Sequence, residues 1–231
     1  RIDTLTAAFA AGLEPTGSSD PYGLRRTALG LILLLTERGI PVSLDALVAL
    51  AAEYSPVALA DERREALGAL LRQRLRVWLT EQGHSREVVD AVLAVQGDTP
   101  SLAARTVRSL EGALGSEDFQ RLMAGVKRAD RLAPRDRSFE LNREALTEPA
   151  EQALYAAYER AASQVKALSP DDVDGLVSSV LPLADPIDRF FVDVMVMVDD
   201  ELVKSARLAL LQRIRDLPRR SFEVAQVPTA R

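Results

Sequence analysis

The stretch "SSDPYGLRRTALGLILLLTERGIP" (residues 18–41) decides the architecture. Asp20 is a good helix cap, and Pro21 suits a first helical position, where a missing N–H costs nothing. Leu24, Ala28, Leu31 and Leu35 then recur every three to four residues, which is the helical period. Gly39-Ile40-Pro41 stops the run, so the spacing predicts a helix from Tyr22 to Arg38. Upstream, Leu13-Glu14-Pro15-Thr16-Gly17 ends a preceding helix and turns. Arg25 and Arg26 fall in the new helix's first turn, where the dipole disfavours cations. An external partner or a surface salt bridge would account for them.

The same period continues outward. Ser43 caps a helix to about Tyr54, and a charged helix spans about Asp61–Gln82 around a Leu/Val/Trp78 stripe before Gly83. Ser85 opens a short helix to Val95, and a domain boundary is placed near Gly97-Asp98-Thr99-Pro100. Further helices are read at Ser101–Leu114, Ser116–Leu132 and Glu148–Leu168, with an exposed loop at Pro134–Asn142. Only "FFVDVMVMVDD" (190–200) has strand character. It alternates poorly and is read as a buried helix end plus an extended connection. Asp199-Asp200 would then cap a last helix to Leu217. The expected fold class is all-α, a helical bundle.

Composition narrows the function. The 231 residues are 27% charged and 47% hydrophobic, with no cysteine. Disulfides, thiolate metal sites and cysteine nucleophiles are excluded, which suits a reducing cytoplasm. The longest strongly apolar run, Leu29–Leu35, is interrupted by Gly30 and is far too short to span a bilayer. No signal-peptide pattern precedes it, and a chain opening on Arg1 reads as a segment of something longer. Charge is sorted in blocks. Arg121–Arg143 holds seven basic and three acidic residues, Glu148–Glu201 three basic and twelve acidic, and Lys204–Arg231 seven basic and two acidic. Such sorting gives a locally positive surface on a chain of net charge −5.

Bond chemistry has little to stand on. His84, the single histidine, follows Gly83 in a turn and reads as a surface or capping residue. Asp171-Asp172 follows Pro170 at a helix start and reads as capping, while Met195 and Met197 read as core. No Walker loop, Rossmann fingerprint or acid/base pair occurs. Two helix faces are the positive features. At 100° per residue, Arg121, Lys127, Arg128 and Arg131 share a sector opposite Phe119, Leu122, Met123, Val126 and Ala129. Lys204, Arg207 and Arg215 share another beside Val203, Ala206, Leu210, Ile214 and Leu217. Cationic faces backed by a core suit phosphate contact, and arginine stacks on unpaired bases.

Two long stretches carry a resemblance. "IDTLTAAFAAGLEPTGSSDPYGLRRTALG" (2–30) and "DPIDRFFVDVMVMVDDELVKSARLALLQRIRDL" (185–217) resemble, in order, signatures of the bacterial glycyl-tRNA synthetase β subunit. "VKRADRL" (126–132) and "LTEPAEQAL" (146–154) are weaker echoes. The resemblance implies residues 1–38 as the end of an HD-like helical domain, 39–109 as a helical connecting region, and 110–231 as an α-helical anticodon-binding domain similar to that of arginyl-tRNA synthetase. It implies a non-catalytic, tRNA-binding part of a glycine-tRNA ligase. Its partners would be glycine tRNA and a catalytic α subunit or fused α region, which uses ATP and glycine. This chain would bind no cofactor, metal, membrane or DNA. Lys127, Arg128 and Arg207 are the expected principal tRNA contacts, supported by Arg121, Arg131, Lys204 and Arg215. The second reading is a helical protein-interaction scaffold without RNA binding, its basic and acidic blocks pairing with partners. An HD-type phosphohydrolase is disfavoured, because its metal ligands need several histidines.

Overall fold

The computed structural model describes residues 1–17, 19, 20, 22–169 and 172–228. Among them are eleven α-helices and no β-strand, as the periodicity predicts. They form two compact units, Arg1–Arg108 and Ser109–Arg231. No described helix is long and apolar enough to cross a membrane.

The first unit contains α1 (Ile2–Ala10), α2 (Leu24–Glu37), α3 (Leu44–Glu53), α4 (Asp61–Glu81) and α5 (Arg86–Gln96). Helix α6 (Pro100–Leu114) carries the chain into the second. Helices α1, α2, α3 and α5 all pack on α4. Leu5, Phe9, Ile32, Leu44, Leu67, Leu71 and Leu75 are fully buried there, each stabilising the fold by about 1.5–3 kcal/mol. Ser43 Oγ accepts from Ala46 N at 3.0 Å, the expected cap.

The opening stretch folds with one difference from its sequence reading. Helix α2 starts at Leu24 rather than Tyr22, because Gly23 takes a left-handed conformation (φ +64°). Asp20 still caps it, accepting from Leu24 N at 2.8 Å and Arg25 N at 3.1 Å. The position expected of Pro21 lies outside the described residues. Arg25 forms no salt bridge among the described residues. Its guanidinium donates to the carbonyls of Gly17 (2.7 Å) and Ser19 (3.2 Å), closing the turn on itself. The Asp20 carboxylate at the same helix end offsets the unfavourable dipole. Arg26 is exposed.

The second unit contains α7 (Glu117–Leu132), α8 (Pro149–Ala167), α9 (Val173–Val180), α10 (Ala184–Asp193) and α11 (Glu201–Asp216). Helix α7 packs on α10 and α11, and α8 on α9, α10 and α11. Phe119, Phe190 and Phe222 fill the core. Ser116, Asp172 and Asp200 each accept from a backbone N–H of the helix they precede, while Asp171 lies outside the described residues. The Pro134–Asn142 loop is solvent-facing but held. Gln212 Nε2 donates to the carbonyls of Pro134 (2.8 Å) and Arg137 (2.7 Å), and its Oε1 accepts from Phe139 N (3.1 Å).

The connection from α10 to α11 corrects one expectation. Val194 and Val196 are buried, whereas Met195 and Met197 are 74% and 59% exposed. Once α10 ends at Asp193 the chain no longer follows the helical period, and alternate side chains point to opposite sides. The methionines are therefore surface residues, not core.

Candidate nucleic-acid interface

Helix α7 presents one apolar and one cationic face. Phe119, Leu122, Met123, Val126 and Ala129 are buried, and Arg121, Arg128 and Arg131 are exposed on the other side. Gly125 lets α10 approach closely: a Cβ there would stand 2.5 Å from Ile187 Cγ2. That seating sets the surroundings of the cations. Arg121 pairs with Asp185 and, at 3.4 Å, with Asp188, one turn apart on α10. Arg128 instead lies over the Phe191 ring, 4.3 Å from its centroid. Arg131 makes no hydrogen bond or ion pair among the described residues. Arg121 is thus neutralised by carboxylates. Arg128 and Arg131 have no carboxylate partner among the described residues, and a cation on a ring retains most of its electrostatic reach.

Lys127 plays a different part. Its ammonium donates to the Val227 carbonyl, fastening the chain's last described segment to α7. Burial pushes its pKa below the ordinary lysine value, and the charge of Arg131 adds to the shift. Lys204 is paired with Glu201, three residues earlier on α11.

Arg207 and Arg215 must be corrected. Both were expected on a cationic face, and both are interior. Arg207 is 7% exposed, bonds the fully buried Glu151 at the start of α8, and donates to the Met195 carbonyl at 2.8 Å. Glu151 also accepts from Glu148 N, closing a capping box, so each of its two carboxylate oxygens holds a hydrogen bond. Arg215 is 5% exposed, donates to the Ala133 carbonyl at 3.2 Å and pairs with Asp216 at 2.9 Å. A helical wheel puts these arginines in a sector with Lys204 but does not show what covers the sector. Here α8 covers Arg207 and the end of α7 covers Arg215. Neither side chain can reach a phosphate without leaving its buried partners.

Sequence reasoning missed Phe191. The Phe190-Phe191 pair was a usable signal, since one helix face cannot bury two adjacent aromatics. Phe190 is fully buried and Phe191 lies beneath Arg128. Two more arginines stack on rings: Arg137 over Phe139 at 4.6 Å and Arg143 over Tyr155 at 5.4 Å.

Exposed arginines resting on aromatic rings, as Arg128, Arg137 and Arg143 do in this helical unit, are a feature of nucleic-acid-binding modules. Residues 124–230 match the family model described as the DALR anticodon binding domain, and residues 1–94 match that of the glycyl-tRNA synthetase beta subunit. The chain belongs to the glycyl-tRNA synthetase β-subunit family, as a segment ending in an anticodon-binding domain. It is 37% identical to the glycine–tRNA ligase beta subunit of Acidobacterium capsulatum over 227 residues, covering 93% of this chain and 32% of that protein. With the beta subunit of Moorella thermoacetica the identity is 39% over 225 residues, covering 94% and 32%. With the chloroplastic/mitochondrial glycine–tRNA ligase 2 of Arabidopsis thaliana it is 32% over 232 residues, covering 99% and 22%. The chain therefore spans a third or less of the length of these relatives. The matches favour a tRNA-synthetase part over a scaffold without RNA binding.

Proposed function

We propose that this chain binds glycine tRNA through its second unit, at the anticodon region, and so supports aminoacylation by a catalytic α subunit or fused α region elsewhere in the enzyme. Arg128 and Arg131 make the principal phosphate contacts. Arg121 and Lys204 flank them, their carboxylate partners being displaced or left at the margin. Lys127 contributes by holding the 222–228 segment against α7. ATP and glycine are handled by the catalytic subunit, and this chain binds no cofactor, metal or DNA. The enzyme works in the cytoplasm. Residues 1–38 act as the tail of an HD-like domain and the following helices as its connection to the anticodon-binding domain.

The supporting observation is that, within the segment matching an anticodon-binding domain, α7 carries two exposed cations that no carboxylate neutralises. Filter retention of glycine tRNA against salt tests it. Each lost phosphate contact lowers the slope of log K against log salt by about 0.7–0.9. Arg128→Glu and Arg131→Glu are expected to weaken binding and flatten that slope. Unchanged affinity and slope in both variants would defeat the proposal.

A further inference from the structure

Among the described residues, every large apolar side chain that the second unit exposes falls in one stretch: Val192 (83%), Met195 (74%), Met197 (59%) and Leu202 (60%). Single exposed apolar residues are ordinary. Four within eleven residues form a patch of the kind that marks contact with another molecule.

The patch is held in place. Val194 has an extended backbone (φ −116°, ψ 125°), and Val194 and Val196 are buried, which turns Met195 and Met197 outward together. Arg207 donates to the Met195 carbonyl at 2.8 Å and is itself bonded to Glu151 in the interior. Methionines on a segment fixed in this way stay in water until something covers them. Charge says what covers them. Asp193 and Asp199, exposed and with no ion pair or hydrogen bond among the described residues, bracket the methionines, and Asp200 and Glu201 follow. The nearby cations are engaged: Lys204 pairs with Glu201 and Arg207 with Glu151. Arg128, on the Phe191 ring, is about 100° round α10 from Val192. An acidic border repels phosphate and attracts lysine and arginine, and thioethers adapt to varied apolar surfaces. Apolar centre and acidic border together complement an amphipathic helix that carries aliphatic residues on one face and basic ones along its edges.

We infer that residues 192–202 are a docking surface for a basic, amphipathic helix of a partner protein, with Met195 and Met197 at its centre and Asp193 and Asp199 at its border. The surface does not rest on the tRNA-binding reading, which α7 carries. The chain has three methionines, and the third, Met123, is 1% exposed in the core. Methyl-labelled methionine in the full chain therefore gives two reporters and an internal control in one NMR spectrum. The probes are two peptides of about 14 residues, with leucine and lysine in the same proportion. One is patterned to put its leucines on one helical face, and the other is shuffled so that no face is apolar. The patterned peptide should shift the Met195 and Met197 methyl signals and leave Met123 in place, while the shuffled one shifts none of them. Met195→Ser combined with Met197→Ser should weaken binding of the patterned peptide about tenfold or more. Both side chains are exposed, so the variant keeps the fold, which far-UV circular dichroism checks. Asp193→Asn combined with Asp199→Asn should weaken it about two- to threefold at low salt, a difference that closes at high salt. Equal binding of the two peptides, or unchanged affinity in the methionine variant, would overturn the inference. Methionine shifts produced by glycine tRNA in place of the peptide would also overturn it, assigning the patch to RNA. No shift with the patterned peptide, while glycine tRNA still binds through Arg128 and Arg131, would remove this surface and leave the proposed function standing.

Discussion

Gly125→Ala probes how α7 and α10 are seated against each other. An added Cβ would meet Ile187 Cγ2 at 2.5 Å, with Ile187 Cβ at 3.4 Å. Carbon atoms in contact prefer about 3.5–4.0 Å, so roughly 1 Å of overlap must be relieved. Ile187 is fully buried and β-branched, and Cγ2 is fixed to Cβ, so the side chain has little room to turn away. Overpacking of this kind costs about 1–3 kcal/mol. Replacing a helical glycine by alanine returns about 1 kcal/mol. The expected net loss is about 0–2 kcal/mol, measured by urea unfolding followed by circular dichroism. Ile187→Leu moves the branch away from Cβ at the same volume. In that background Gly125→Ala should cost nothing or stabilise, giving a coupling of about 1 kcal/mol or more in the double-mutant cycle. A stabilising Gly125→Ala in the unaltered chain, or zero coupling to Ile187, would refute the close approach. The same seating sets Phe191 beneath Arg128, so Gly125→Ala should also weaken tRNA binding.

Gly12→Ala should destabilise the first unit by about 1–3 kcal/mol. Its φ is +81°, and an added Cβ would stand 2.8 Å from Arg63 Nη1, which donates to the Phe9 carbonyl; chemical denaturation reads the loss. The Arg76–Asp90 pair predicts an acid-side dependence. Its hydrogen bonds hold the Asp90 carboxyl below the usual carboxylate range. The stabilisation is complete above the unfolded value near 4 and disappears as pH falls through the lower folded one. Arg76→Ala should erase that portion of the stability–pH profile, seen in melts between pH 5 and pH 2. Arg207→Ala strands Glu151 as a buried unpaired charge and should cost about 3–5 kcal/mol, a thermal-denaturation result that an exposed, phosphate-binding arginine would not give.

Helices and caps were legible because their causes are local. Ser43, Ser116, Asp172 and Asp200 bond donors two or three residues ahead, and the period of three to four residues marks each buried stripe. The site was less legible because its causes are distant. Arg207 is interior on account of Glu151, 56 residues away, and Lys127 is engaged by a carbonyl 100 residues away. No spacing rule carries that information. Met195 and Met197 fall between these cases. The V-M-V-M alternation was visible, and read with a period of two it would have put the valines inside and the methionines outside.

Arg25 makes its turn tolerant in one direction and strict in another. The guanidinium grips main-chain oxygens, so the latch is indifferent to which side chain occupies position 19, which can drift in evolution without loosening it, whereas position 17, with φ +50°, favours its glycine. The arginine cannot drift. Two separate nitrogens span two carbonyls at once, a geometry that a lysine's single ammonium does not reproduce. Descendants of this sequence should vary in the turn's lettering while keeping the residue that ties it.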